Sequence, residues 1–230
     1  MRFTLKVILA AVVLCAAGTG AWADDLRPPL MPDAGFDRGM PGTTVQEWSF
    51  SVESTVDEGD WHVYEPDLTN NPGARVLHKE GIMQPKWVDT DPDEFGTAQG
   101  ILPLNGTIII ELPNFPPSPS KEIWLQLTWF DNGANDGPGV AITGAEGPAQ
   151  DYTWSVLEDI GTIDLQQTPA GMWKHTTYQG FIFPNPIWES IQITGAICVD
   201  QVVVDTYCPE PASMSVLVLG ALGALVRKRH

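Results

Sequence analysis

The sequence predicts an all-β protein: an antiparallel β-sandwich of jelly-roll type, preceded by a signal peptide and followed by one short transmembrane helix. Two observations support the β class. Residues 24–211 contain all 20 prolines and 18 of the 22 glycines, and both residue types interrupt helices. The stretches between them are short and rich in β-branched and aromatic residues, which favour strands. An up-and-down barrel is the alternative architecture.

Eight runs of residues are expected to form strands, because turn-forming clusters separate them. They are Val45–Glu53, Ala74–His78, Thr107–Leu112, Glu122–Phe130, Tyr152–Leu157, Met172–Phe183, Trp188–Thr194 and Ala196–Thr206. Within Glu122–Phe130, apolar and polar residues alternate, which predicts one core-facing side. The core-facing residues are expected to be Ile123, Leu125, Leu127 and Trp129. The apolar, proline-free run Ala196–Thr206 is expected in the middle of a sheet.

The first 23 residues have the parts of a secretory signal peptide. A basic start is followed by the apolar run Val7–Ala17, and Ala21 and Ala23 are the small residues that signal peptidase requires. The apolar run is too short to span a membrane, which takes about 20 residues. The mature chain is therefore expected to start at Asp24, with a loose entry segment over residues 24–40 and the acidic β-domain over residues 41–208.

The C-terminal end contains a second apolar segment. Residues 212–226 carry no charge, and Arg227, Lys228 and Arg229 follow directly. As a helix this segment would extend about 22 Å, against a hydrocarbon core of about 30 Å. It can span only if the flanking cations snorkel to the interface. The basic tail, residues 227–230, is expected to stay cytoplasmic, which places the preceding domain outside.

Pro209, Glu210 and Pro211, the apolar segment after them and the terminal basic cluster together resemble the PEP-CTERM sorting signal of exported bacterial proteins. The resemblance covers residues 209–230 only. It implies that an exosortase, an integral membrane protease or transpeptidase, recognises the triplet, and that the protein is delivered to the cell surface or the extracellular matrix. Two prolines favour an extended segment that a protease cleft can hold, with one carboxylate as a polar handle.

The charge of the mature region excludes one class of partner. Residues 24–211 hold seven basic residues and all 29 acidic ones, a net charge of −22, against −17 for the whole chain. Nucleic acid requires a basic surface, so it is not an expected partner. A charge of this size makes divalent cations the expected small partners.

Structural calcium is the only cofactor that the sequence suggests. Asp89, Asp91 and Asp93 place carboxylates at alternate positions of a loop, an arrangement that can surround Ca²⁺ with oxygen ligands. The loop departs from an EF-hand because Glu94 stands where Gly is required and Gly100 where the bidentate Glu is required. Asp200 is a second candidate ligand.

Cys198 and Cys208 are the cysteines that remain after signal cleavage. In an oxidising compartment they could pair. A straight strand would separate their Cα atoms by ~33 Å, whereas a disulfide needs about 4.4–6.8 Å. A continuous strand with free thiols is expected, and a chain reversal with a disulfide is the alternative.

The sequence contains no motif of a known catalytic type, and we expect no enzymatic activity. The carboxylate pairs Glu47/Glu53 and Glu158/Asp164 are the basis of one alternative, a secreted polysaccharide hydrolase, since glycosidases need two nearby carboxyl groups.

A carbohydrate-binding module is the better alternative, because eight tryptophans remain after signal cleavage. Trp124 has the opposite parity to Trp129 on one strand, so it is expected to be exposed and to contact glycan. The function expected from the sequence is a structural or adhesive role in the cell envelope or extracellular polysaccharide matrix.

Overall fold

The computed structural model describes residues 36–50, 53–54, 56–58, 60–79, 88–89, 100–114, 118–133, 137–147, 149 and 151–209. These residues form strands, turns and bends, so the all-β class is confirmed for them. None of the described segments is a helix long and apolar enough to cross a membrane. The predicted signal peptide, residues 1–23, and the predicted helix, residues 212–226, lie outside the described ranges.

Thirteen strands pair with one another, all antiparallel. In chain order they are β1 (Thr43–Trp48), β2 (Val56–Glu58), β3 (Trp61–Tyr64), β4 (Leu68–Thr69), β5 (Arg75–Lys79), β6 (Val88–Asp89), β7 (Gly100–Pro113), β8 (Lys121–Asp131), β9 (Gly139–Glu146), β10 (Thr153–Trp154), β11 (Glu158–Gln167), β12 (Met172–Phe183) and β13 (Trp188–Tyr207).

The long strand β13 is the centre of the fold. Its first part, residues 188–199, pairs with β7, and residues 188–194 also pair with β9. Its second part, residues 198–207, pairs with β8, and residues 202–207 also pair with β1. Beyond β7 follow β5, β3 and β2; beyond β8 follow β12 and the edge strands β10 and β11. The prediction that the last run lies in the middle of a sheet is confirmed.

β13 divides the strand array into two halves: the strands that follow from β7, and the strands that follow from β8. One apolar cluster joins these two halves. It contains Ile110 of β7 from one half and Leu125 and Leu127 of β8 from the other, all fully buried. Trp48 also belongs to it, and its indole Nε1 donates to the carbonyl oxygen of Tyr64 at 3.1 Å. A core shared by both halves is consistent with a β-sandwich.

The alternation predicted in β8 is confirmed, since the four expected core residues all belong to this cluster. The opposite face of β8 is buried as well, and Gln126 and Thr128 on that face have 1% and 2% of their surface exposed. Because β8 is covered on both faces, its polar side chains are buried as well as its apolar ones.

Several predicted strand limits are wrong, for physical reasons. The first strand ends at Trp48 rather than Glu53, because Phe50 adopts φ +47, a left-handed conformation that turns the chain. The run Tyr152–Leu157 forms only the two-residue strand β10. The two last predicted strands are one, since Gly195 at φ +148 lets the chain continue extended.

The prediction of a continuous strand between the two cysteines is confirmed. Cys198 lies within β13 and Cys208 directly follows it, and neither is disulfide-bonded. Burial raises the pKa of the Cys198 thiol to about 11, so this thiol is protonated and unreactive at neutral pH.

Candidate functional site

The expected glycan contact at Trp124 is not on the surface. Its side chain lies on the opposite face of β8 from Trp129, as predicted, but only 1% of it is exposed. The indole Nε1 donates to Glu122 Oε1 at 2.6 Å. The expectation of an exposed ring is wrong because both faces of β8 are covered.

The predicted calcium ligands fall mostly outside the described ranges. Asp89 lies in β6, whereas Asp91 and Asp93 are not among the described residues. Within the described part of the chain, no group of three His, Cys, Asp or Glu side chains is arranged to hold a metal ion. Calcium binding at these aspartates stays a prediction.

The predicted sorting motif begins at Pro209, the last described residue. The carbonyl oxygen of Pro209 accepts a hydrogen bond from Ser118 Oγ at 2.8 Å, which fixes the end of β13 against the start of β8. Glu210 and Pro211 lie outside the described ranges, as do the basic residues 227–229 and the signal-cleavage alanines 21 and 23.

A buried cluster of Lys121, Glu189 and Asn114 lies where three strands meet. Lys121 is the first residue of β8, Glu189 is the second of β13, and Asn114 directly follows β7. Lys121 Nζ donates to Glu189 Oε1 and to Asn114 Oδ1, and Asn114 Nδ2 donates to Glu189 Oε2. Neither Lys121 nor Glu189 has any exposed side-chain surface. We call these three residues the Lys-Asn-Glu cluster.

Register places this cluster against the core. Lys121 is opposite Ile182 on β12, and Glu189 is opposite Leu112 on β7, both of which belong to the main apolar cluster. An isolated charge in such a place would be strongly unfavourable, so the pairing is required for burial. The cluster also acts on Cys208, since burial raises the pKa of this thiol while the Lys121 charge lowers it.

A second polar network, which we call the polar face, lies on the side of β8, β12 and β13 that faces away from the main apolar cluster. Arg38 Nε and Nη2 donate to the two carboxylate oxygens of Asp205, each at 2.5 Å. Gln126 Nε2 donates to Asp205 Oδ2 at 3.3 Å. His175 bonds to Gln126 Oε1 at 3.3 Å and to Thr128 Oγ1 at 3.0 Å. The result is a continuous chain of hydrogen bonds from the partly buried Arg38 guanidinium to the buried Thr128 hydroxyl.

A β-bulge places two further polar groups beside this network. The pairing of β13 with β8 shifts register between Val199 and Gln201, so Asp200 is the extra residue. Asp200 is 5% exposed, and its Oδ1 has no hydrogen-bond partner among the described residues. Burial therefore raises the pKa of the Asp200 carboxyl to about 7. Gln201 is anchored instead, because its Nε2 donates to Glu47 Oε1 at 2.6 Å.

Two histidines face each other in the other half of the array. His62 on β3 is directly opposite His78 on β5, with ring centroids 6.4 Å apart, and His62 Nδ1 is hydrogen-bonded to Asp57 Oδ1. Burial, and secondarily His62, lower the pKa of His78 to about 4. His78 is therefore neutral at neutral pH. These two imidazoles and the Asp57 carboxylate are not arranged so that all three could hold one metal ion.

The sequence interpretation missed the Lys-Asn-Glu cluster, although a signal was present. Lys121 has the same parity as Ile123 and Leu125, and Glu189 has the same parity as Ile191 and Ile193. A charged residue at an inward position of an alternating strand is the mark of a buried, paired charge. What the sequence did not contain was the register that brings the two together.

Comparison with models of protein families, with curated proteins and with solved structures found no match to this chain.

Proposed function

We propose that this is an exported, surface-sorted bacterial protein, with a structural or adhesive role in the cell envelope or extracellular polysaccharide matrix and without enzymatic turnover. The observation that carries the proposal is that the buried charged side chains are paired with each other. Lys121 of β8 and Glu189 of β13 pair across strands, and Arg38, which precedes β1, pairs with Asp205 of β13, as groups that hold a fold do. The proposed domain is a β-sandwich of jelly-roll type.

Sorting is assigned to the two ends of the sequence. The signal peptide directs export, and the PEP-CTERM-like segment at residues 209–230 directs recognition by an exosortase at Pro209, Glu210 and Pro211. The short apolar helix and its basic tail hold the chain in the membrane before or instead of cleavage. The net charge of −22 on residues 24–211 keeps the exported domain soluble and repels neighbouring copies at low salt.

Truncation after Cys208 tests the sorting assignment. The full chain is expected in the membrane and cell-surface fractions of its host, whereas the truncated chain is expected in the medium, because the anchor is missing. Glu210→Ala in the full chain should slow processing, and Glu146→Ala, at an exposed residue of β9, serves as the matched control. Identical fractionation of the full and truncated chains would refute the assignment.

A carbohydrate-binding role is the second candidate, and exposed aromatic residues favour it. Trp154 on β10 is 43% exposed, and Phe181 and Phe183 on the paired strand β12 are 48% and 60% exposed. Exposed aromatic faces can stack on sugar rings.

A glycan array separates this candidate from the first. If the domain binds glycans here, Trp154→Ala should abolish binding that Ile187→Ala leaves intact, since Ile187 is an exposed aliphatic residue of similar exposure. Absence of binding by the unaltered protein would remove the candidate.

A further inference from the structure

We propose that Lys121 and Asn114 become joined by an intramolecular isopeptide bond, formed by the folded chain itself with Glu189 as the proton carrier. The site is the Lys-Asn-Glu cluster, which then acts as a covalent modification site in addition to an ion pair. The proposal does not depend on how the protein is sorted.

The geometry brings a nucleophile, an electrophile and an acid–base group into mutual contact. Lys121 Nζ contacts both the Asn114 carboxamide and Glu189 Oε1, and Glu189 Oε2 contacts Asn114 Nδ2. An ion pair alone would need only Lys121 and Glu189. The third member is a carboxamide, whose carbonyl carbon can accept an amine and whose nitrogen can leave.

Strands hold two of the three groups in place, and a backbone hydrogen bond holds the third. Lys121 and Glu189 lie within β8 and β13, and Glu189 is flanked by β7 and β9 at Leu112 and Ala145. The backbone N–H of Asn114 donates to the carbonyl oxygen of Ile187 at 2.7 Å, which fixes the third residue although it lies outside a strand. Reacting groups held in contact on rigid elements avoid most of the entropy cost of a bimolecular reaction.

The reaction balances with no external reagent. The Lys121 ammonium gives one proton to the Glu189 carboxylate, which leaves a neutral amine and a neutral acid, the forms that a dry interior accommodates best. The Lys121 Nζ lone pair attacks Asn114 Cγ, so a C–N bond forms and the carbonyl π electrons move to oxygen. Glu189 protonates Nδ2, the C–Nδ2 bond breaks as the carbonyl re-forms, and the proton of the new amide nitrogen returns to Glu189. One ammonia leaves for each bond formed.

Burial protects both the reaction and its product. Lys121 and Glu189 have no exposed side-chain surface and Asn114 is partly buried, so little water can compete with the amine for the carboxamide carbon. The bond would tie the end of β7, which pairs with the first part of β13 at Trp188, to the start of β8, which pairs with its second part at Tyr207. The chain already connects these two strands through residues 115–120, so the bond would close residues 114–121 into a covalent ring.

Peptide mapping of the purified full-length chain tests the proposal. After denaturation, a protease that cuts after glutamate releases residues 112–122, which contain both Asn114 and Lys121. We expect this fragment to be lighter than the linear peptide by one ammonia, and we expect trypsin to leave the chain uncut after Lys121. A fragment of linear mass with trypsin cleavage at Lys121 would overturn the proposal.

Matched variants identify the atoms involved. Lys121→Arg keeps the positive charge but should restore the full mass; a deficit that persists in this variant would show that Asn114 cyclises alone and would overturn the proposal. Glu189→Gln keeps the shape and should also restore the full mass, while retention of the deficit would overturn the role of Glu189. Near-ultraviolet circular dichroism checks that each variant is folded, and if neither folds, the digest of the unaltered chain decides.

Discussion

Asp205→Ala is expected to lower the free energy of unfolding by about 3–5 kcal/mol, the typical cost of removing one partner of a buried ion pair. Asp205 has no exposed side-chain surface and accepts both hydrogen bonds of the Arg38 fork as well as one from Gln126. The substitution leaves the guanidinium, 14% exposed, without this carboxylate. Urea unfolding followed by tryptophan fluorescence measures the change.

The control for this prediction is Glu58→Ala, which removes a carboxylate from a more exposed pair. Glu58 and Arg75 are 55% and 31% exposed, and exposed pairs contribute about 0–1 kcal/mol. Equal losses in Asp205→Ala and Glu58→Ala would show that the polar face contributes no more than ordinary surface charge.

Asp200→Asn is expected to stabilise the protein at pH 8 and to have little effect near pH 3. The folded-state pKa of Asp200 is raised to about 7 from its model-peptide value of 3.8. The folded state therefore binds the proton more tightly, and the stability that this provides is complete below pH 3.8 and is lost as the pH rises to about 7. The loss is on the order of 4 kcal/mol at 1.36 kcal/mol per pH unit.

An asparagine cannot ionise, so the variant should not show this loss. Urea unfolding of the two proteins at pH 3, 5, 7 and 8 compares their stabilities directly, and other titrating groups cancel in the difference. Asp151→Asn, in an exposed loop, controls for the removal of one negative charge. A stability difference that is independent of pH would contradict the assignment of Asp200 as a buried carboxyl group with a raised pKa.

The β class and much of the strand pattern were predictable from local chemistry. Met172–Phe183 was predicted with the limits observed, because Gly171 and Pro184 bound a run rich in aromatic and β-branched residues. Strand β9, Gly139–Glu146, was missed because its glycines and small residues have low strand propensity. Its place beside β13 comes from tertiary pairing, which outweighs local preference.

The polar interior was not predictable in the same way. Alternation correctly assigned Trp124 to the face opposite Trp129, but alternation does not show whether a face is covered. Likewise, Glu189 and Lys121 are 68 positions apart, and only their registers reveal the contact. A sequence shows which residues share a face, whereas pairing across distant strands decides which polar groups meet.

The position of β13 has a consequence for the order of folding. The central strand β13 is the last strand along the described part of the chain, and its Tyr207 pairs with Thr43 of β1. Because the chain is synthesised from its N-terminus, β7 and β8 lack the strand between them until residues 188–207 have been made. Non-local pairing of this kind is slow. We therefore expect the described domain to fold in one late step, after residues 188–207 have become available.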